Sequence, residues 1–183
     1  FADLMAQISE LPGEFVLRFM TSHPKDASRK LFDTMASHEK IAKQFHLPFQ
    51  SGNDRILQEM NRRYTAAQYL ELIRYGREKM PEIVFTSDVI VGFPGETEAE
   101  FKDTLRLIET VRFDALFTFI YSPRPGTPAA KMPDPFPRAD KNRRFDRLLE
   151  AQNRISLEKH QAYIGKTCRV LLDGTDKDLL TGR

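Results

Sequence analysis

The sequence predicts an α/β fold built on parallel strands, and three observations lead there. Apolar runs rich in β-branched and aromatic residues begin near residues 15, 45, 85 and 115, at gaps of 30, 40 and 30. The intervals between them carry apolar residues at helical spacing and are long enough for crossovers between parallel strands. Each run stops in a polar loop rich in glycine or proline: TSHP, QSGND, GFPGET and YSPRPGT. Parallel strands end on one edge, so these loops converge there, and α/β proteins bind ligands at that edge. Pattern alone leaves a doubly wound sheet and a barrel both open.

Residues 1–11 read as a helix with Leu4, Ile8 and Leu11 on one side. A chain that opens inside a helix, without an initiating Met, is expected to be a piece of a longer protein. After the Pro12-Gly13 turn, FVLRFM at 15–20 is the first expected strand, and Asp26 and Arg29 open a helix carrying Leu31, Phe32 and Met35. The second strand is expected at 45–49, followed by a short helix with Ile56, Leu57 and Met60. Thr65 and Gln68 form a capping box for a helix with Tyr69, Leu72, Ile73, Gly76 and Met80 on its face, ended by Pro81. Val84, Phe85, Val89, Ile90 and Val91 make a strand apolar enough to be covered on both faces.

Gly92, Pro94 and Gly95 then turn the chain sharply. Thr97 and Glu100 form a second capping box, and Phe101, Leu105 and Ile108 face the core from the helix it opens. ALFTFI is the centre of a fourth strand at 114–121. MPDPFP at 132–137 reads as a stiff linker, 138–161 as a long charged helix and 167–172 as a last strand. The residues after Gly174 are too polar to complete a β domain.

Composition narrows the class. Hydrophobic residues make up 40% and charged residues 30% of 183, as in a globular chain. No apolar run approaches a membrane span, and no signal pattern opens the chain. The single cysteine, Cys168, excludes an internal disulfide framework and an all-cysteine metal site, and a cytoplasmic location is expected. Net charge is only +2, but residues 138–160 hold seven Lys/Arg against four Asp/Glu.

Three blocks make a specific combination: FHLPFQSGNDRILQEMNRRYTAAQYLELIR, TSDVIVGFPGETEAEF and FDALFTFIYSPRPGTPAA. With order and spacing kept from about residue 15 to 172, they resemble the methylthiotransferase family of radical S-adenosylmethionine (SAM) enzymes, its tRNA branch above all. The resemblance implies a three-part parent: an amino-terminal domain with one iron–sulfur cluster, a central partial barrel that binds SAM and a second four-iron–four-sulfur cluster, and a TRAM domain that holds tRNA. It implies transfer of a methylthio group to isopentenyladenosine beside the anticodon. The family's C-x-x-x-C-x-x-C is absent here, and one thiol cannot hold a four-iron cluster. The chain is therefore expected to be inactive alone, with both cluster ligand sets outside it. Against that family, 1–137 is the last four βα units of an open barrel, 138–162 a connecting helix, and 163–183 the first strand of a truncated TRAM-like domain.

On this resemblance, Gln50 and Ser51 face the ribose and methionine of SAM, with helix capping as the alternative for Ser51. Asp88 is a carboxylate in an apolar strand, either a ligand contact or a structural acceptor. Gly92 and Gly95 leave room for the adenosine; Glu96 binds the ligand or favours the helix start. Tyr121 and Phe119 flank the adenine or fill the core, and Arg124 in a proline-braced loop suits a phosphate or carboxylate. His23 is a site residue or a turn residue. Arg143, Arg144, Arg147 and Arg154 meet an RNA backbone or make a solvated face. Cys168 is expected to be buried as a small hydrophobe.

Three other readings stand beside this one. The sister branch of the family modifies a ribosomal protein, but it tends to carry acidic residues where Arg124 and Pro125 stand. A non-catalytic RNA-binding module would use only the basic helix and the last strand. An aldolase-like barrel would need a Schiff-base lysine at a strand end, and none is there.

Overall fold

The computed structural model describes residues 1–20, 23–168 and 170–182. Thr21 and Ser22 of the first expected strand-end loop, Arg169 in the expected last strand, and Arg183 lie outside the described residues.

Three parallel strands form the sheet in the order they occur: β1 (Gln44–His46), β2 (Val84–Val91) and β3 (Ala115–Ile120). Phe45 stands opposite Phe85, and Asp88 opposite Phe117. The helices are α1 (Ala2–Ser9), α2 (Arg29–Ser37), α3 (Asp54–Glu59), α4 (Ala66–Lys79), α5 (Glu98–Val111) and α6 (Arg138–Gln161). The sheet is parallel, as expected, but it has three strands and not four.

Residues 15–20 form only one parallel bridge, Leu17 to Ile41, with the Leu17 N–H donating to the Lys40 carbonyl at 2.7 Å. The partner segment is still turning out of α2, where the Ile41 N–H donates to the His38 carbonyl, so there is no ladder for a strand to extend. Val16 and Met20 are left exposed.

The strand expected at 45–49 starts earlier and stops sooner. Pro48 has no N–H for the ladder. Ser87 fills the break: its Oγ donates to the Leu47 carbonyl at 2.7 Å and accepts the Phe49 N–H at 3.0 Å. The register slips here, from His46 opposite Thr86 to Gln50 opposite Val89, one residue extra on the first strand. Gln50 absorbs the slip with φ +66°.

Phe85, Ser87, Val89 and Val91 are buried on one face of β2, and Phe85 packs toward α4. Gly76 of α4 permits this contact, because a Cβ there would lie 2.8 Å from the Phe85 ring and 2.9 Å from Phe32. Thr86, Asp88 and Ile90 point to the other face, which is only half-covered. Both capping boxes form as expected, at Thr65/Gln68 and Thr97/Glu100. The second helix starts later than expected, because Ser28 caps it; Asp26 belongs to a short 3₁₀ turn, Pro24–Asp26.

α6 is one long helix, as expected, yet it is more than a connector. Leu148 and Ile155 lie in the main core, and Gln152 donates to the Phe113 carbonyl at 3.0 Å. The linker before it is tied down as well, through an Asp134–Lys141 ion pair and Phe136, which lies under Arg144 at 4.9 Å.

The last strand begins at Leu172, not 167, and it is half of an antiparallel hairpin, β4 (Leu172–Asp176) with β5 (Leu179–Gly182). Every residue of the hairpin is exposed. Cys168 is exposed too, because none of the described residues packs over it. Among the described residues, no helix is long and apolar enough to cross a membrane.

Candidate functional site

The carboxyl edge of the sheet brings together Gln50–Ser51, the 92–96 turn and the loop after Tyr121. The pairing shows this directly: Gln50 bridges Val89, and the Tyr121 N–H donates to the Val91 carbonyl at 2.9 Å. Gln50 is almost buried in a backbone conformation that non-glycine residues seldom adopt, a form of strain that collects at functional sites.

Ser51 is buried and turned toward α5, its Oγ 3.5 Å from Thr104 Oγ1. The cap of α3 is Asn53, whose side chain accepts the Arg55 and Ile56 N–H groups, and Ser51 only accepts the Asn53 N–H at 3.3 Å. Gly52 explains the close approach: its N–H donates to Thr104 Oγ1, and a Cβ would lie 2.6 Å from the Thr104 Cα.

At Gly92 (φ +70°) the expected open space is filled from within the chain. A Cβ there would meet the Lys141 side chain at 2.7 Å. Lys141 is buried, ion-paired with Asp134, and 5.9 Å from the Tyr121 ring centroid. Gly92 thus admits α6, and of the two glycines in this turn it is Gly95 (φ +73°) that has open space beside it.

Glu96 is fully buried at this turn. Its Oε2 accepts the Gly92 N–H at 2.7 Å, and Oε1 has no partner among the described residues. Arg144, itself buried, donates to the Glu96 carbonyl oxygen at 2.6 Å and lies 3.4 Å from Oε2. Burial pushes the Glu96 carboxyl up to about 7, against the pull of the Gly92 N–H and Arg144. The side chain therefore ties the turn to α6 and does not sit free at the helix start.

The four α6 arginines expected to meet RNA are not alike. Arg144 is buried beneath the turn between Phe101 and Phe136, so it is not a surface cation. Arg143, Arg147 and Arg154 are on the outside, paired with Asp140, Glu98 and Glu109. Arg124 is exposed, and its carbonyl accepts the Thr127 hydroxyl at 2.8 Å, bracing the loop. His23 caps the 3₁₀ turn through Nδ1, which accepts the Lys25 N–H at 3.1 Å, and its ring sits edge-on to Tyr64.

Asp88 is not buried: its side chain is 28% exposed and lies 3.5 Å from His46 Nε2. His46 is a residue the sequence reading missed. Its Nδ1 is 2.9 Å from Thr86 Oγ1, and its ring meets Phe117 edge-on. Parity along the strand was the available signal, since Gln44 and His46 alternate onto the face that Thr86 and Asp88 share. Phe119 is 52% exposed on this same face, not in the core.

The radical SAM superfamily model matches residues 1–108. The chain belongs to the radical SAM superfamily. Curated relatives named tRNA-2-methylthio-N(6)-dimethylallyladenosine synthase match along the whole chain: 50% identical over 186 aligned positions in Acetivibrio thermocellus and 47% in Alkaliphilus oremlandii. The chain spans 39% and 40% of the length of those relatives. Among solved structures, the radical SAM enzyme coproporphyrinogen III oxidase (HemN) from Escherichia coli has the same fold over 73% of this chain and 31% of its own, with a TM-score of 0.59 at 17% identity.

A radical SAM enzyme needs SAM and an iron–sulfur cluster. SAM fits this edge on two counts: the open space beside Gly95, and the Tyr121 hydroxyl, which is buried without a partner among the described residues. A cluster does not fit. The chain has one thiol, and no group of three or more His, Cys, Asp or Glu among the described residues is placed to hold a metal.

Proposed function

We propose that this chain is the SAM-edge portion of a tRNA methylthiotransferase that modifies N6-dimethylallyladenosine, its three strands being part of the family's open barrel. The observation that carries the reading is identity near 50% across the whole chain, loops and α6 included, to enzymes of that name. The loop sequences at the carboxyl edge fall inside that match. SAM supplies hydrogen abstraction and the methyl group when bound.

The residues of this chain bind and orient. Gln50, Asp88 and Tyr121 offer polar groups around the ligand, Gly95 lets the backbone approach it, and Arg124 faces its carboxylate or a phosphate of the RNA. Gly92, Ser51, Glu96 and Arg144 hold the edge in shape from behind. Arg143, Arg147 and Arg154 give α6 an outer row for an RNA backbone, which accepts such charge without reading sequence. The cluster ligands belong to other parts of a longer cytoplasmic protein, 1–137 being its barrel portion and 163–183 the start of its TRAM-like domain.

The test is deletion of the gene in its host, followed by mass spectrometry of tRNA nucleosides. Loss of the methylthio group from dimethylallyladenosine, restored by the full-length gene, is the expected result. An unchanged nucleoside profile defeats the reading.

A further inference from the structure

On its β1 side the carboxyl edge is flanked by cations that the edge itself does not use. α3 closes at Met60, and Asn61 takes the left-handed conformation with φ +56°. The Arg62 N–H then donates back to the Leu57 carbonyl at 2.8 Å, and the Asn61 N–H to the Gln58 carbonyl at 2.9 Å. This double closure fixes the backbone that carries Arg62 and Arg63 out of the helix. Tyr64 pins the next position, its hydroxyl donating to the carbonyl of Phe49, one residue before Gln50, at 2.9 Å. The His23 ring meets Tyr64 edge-on at 5.6 Å and accepts the Lys25 N–H, so Lys25 comes to the same place. Partial burial, and after it the charge of the neighbouring Arg62, hold the His23 imidazole below its usual range.

Lys25 and Arg63 are exposed, and Arg62 is half-buried. Asp26 is the acid that acts on His23 here, and nearby Glu59 is taken by Arg55 at 2.7 Å. Among the described residues no carboxylate lies within ion-pair distance of Lys25, Arg62 or Arg63, whereas Arg29, Arg106 and Arg112 elsewhere on the surface are each paired. Grouped cations left without ion pairs keep their attraction for an anion from outside.

We infer that Lys25, Arg62 and Arg63 bind the phosphate backbone of the RNA, on the side of the SAM edge opposite α6. The inference rests on the function proposed above and adds a second point of grip to it. The strand order is β1-β2-β3, and α6 packs beside β3, where Ser156 donates to the Asp114 carbonyl at 3.2 Å. RNA held only by the outer row of α6 is free to pivot about that helix. RNA held on both flanks crosses the edge between them, where a nucleoside must be presented to SAM. Two guanidiniums on a fixed backbone suit phosphate oxygens, and such contacts position a strand without reading its bases.

The test uses the full-length protein and tRNA carrying N6-dimethylallyladenosine, with binding followed by fluorescence anisotropy between about 50 and 200 mM salt. SAM affinity is titrated separately. Arg62→Gln combined with Arg63→Gln should weaken tRNA binding about tenfold and flatten the dependence of log affinity on log salt by about one per residue replaced. SAM affinity should stay the same, because neither side chain supports the edge. Arg74→Gln removes one charge from the exposed side of α4, as Arg63→Gln does from the loop, and should leave tRNA affinity and slope nearly unchanged. Circular dichroism melting confirms folding, and Arg63→Gln alone, at an exposed site, serves if the double variant does not fold; its slope should flatten by about one. Unchanged tRNA affinity and slope in a folded variant, or an equal loss in Arg74→Gln, overturns the proposal. So does a parallel fall in SAM affinity, which would make this loop a support of the edge. Each of these results leaves the nucleoside analysis of the deletion strain standing, so failure here is distinguishable from failure of the proposed function.

Discussion

Replacing Glu96 with Gln should remove a fall in stability that the chain otherwise shows as pH rises from 4.5 to about 7. In the folded chain the carboxyl is fully buried, with the Gly92 N–H and a 3.4 Å Arg144 contact on one oxygen and no partner among the described residues for the other. Burial holds it at about 7, whereas an exposed glutamate titrates near 4.5. The folded state thus keeps a proton that the unfolded chain releases, and stability declines with pH wherever the native state binds more protons. At about 1.4 kcal/mol per pH unit, the interval from 4.5 to about 7 corresponds to roughly 3 kcal/mol, present in full below 4.5 and gone above 7. Glu100 has the opposite sign. Arg55, bonded to it at 2.5 and 2.7 Å, holds its carboxyl at about 2, so its contribution is present above 4.5 and is lost as pH falls toward 2. Urea unfolding of the chain and of Glu96→Gln, followed by circular dichroism at several pH values between about 4 and 8, reads the difference directly. Gln keeps an acceptor for the Gly92 N–H, so the variant should fold. Parallel pH profiles for the two proteins would refute the assignment of a raised carboxyl at this turn.

Gly52→Ala should destabilise by about 1–3 kcal/mol in urea, because the new methyl meets the backbone of Thr104, which cannot move aside; an unchanged midpoint would mean that α5 is not so close. Ser87→Ala should cost about 1–3 kcal/mol, since it takes the acceptor from the buried Phe49 N–H and one of two donors from the Leu47 carbonyl, which the Tyr69 hydroxyl still serves; amide exchange at Phe49 should quicken in step, and protection there would count against the patch. Gly92→Ala should be destabilising and partly rescued by Lys141→Ala, which empties the space the methyl needs, while the strain of φ +70° remains; additivity of the two changes in thermal melts would rule out the contact.

The parts of the fold that could be read from sequence were those decided by neighbours in the chain. The Thr65 and Thr97 caps and the full span of α6 depend on residues three or four positions apart, and they form as written. The strand at 15–20 failed because its fate depends on a partner segment that is still turning at Ile41, which its own composition does not reveal. The same limit governs the site. ALFTFI is apolar at every position except Thr118, and such a run says that a strand forms without saying which face is covered. Here the helices take one face and leave Phe117 and Phe119 open on the other. Gly92 repeats the lesson: a glycine in a turn was legible, but the side chain that needs its empty Cβ position lies 49 residues further on, at Lys141. The backbone of this edge is therefore shaped by α6 as much as by the strand-end loops. Arg144 and Lys141 reach the turn from behind and fix the backbone that a ligand would meet from the front.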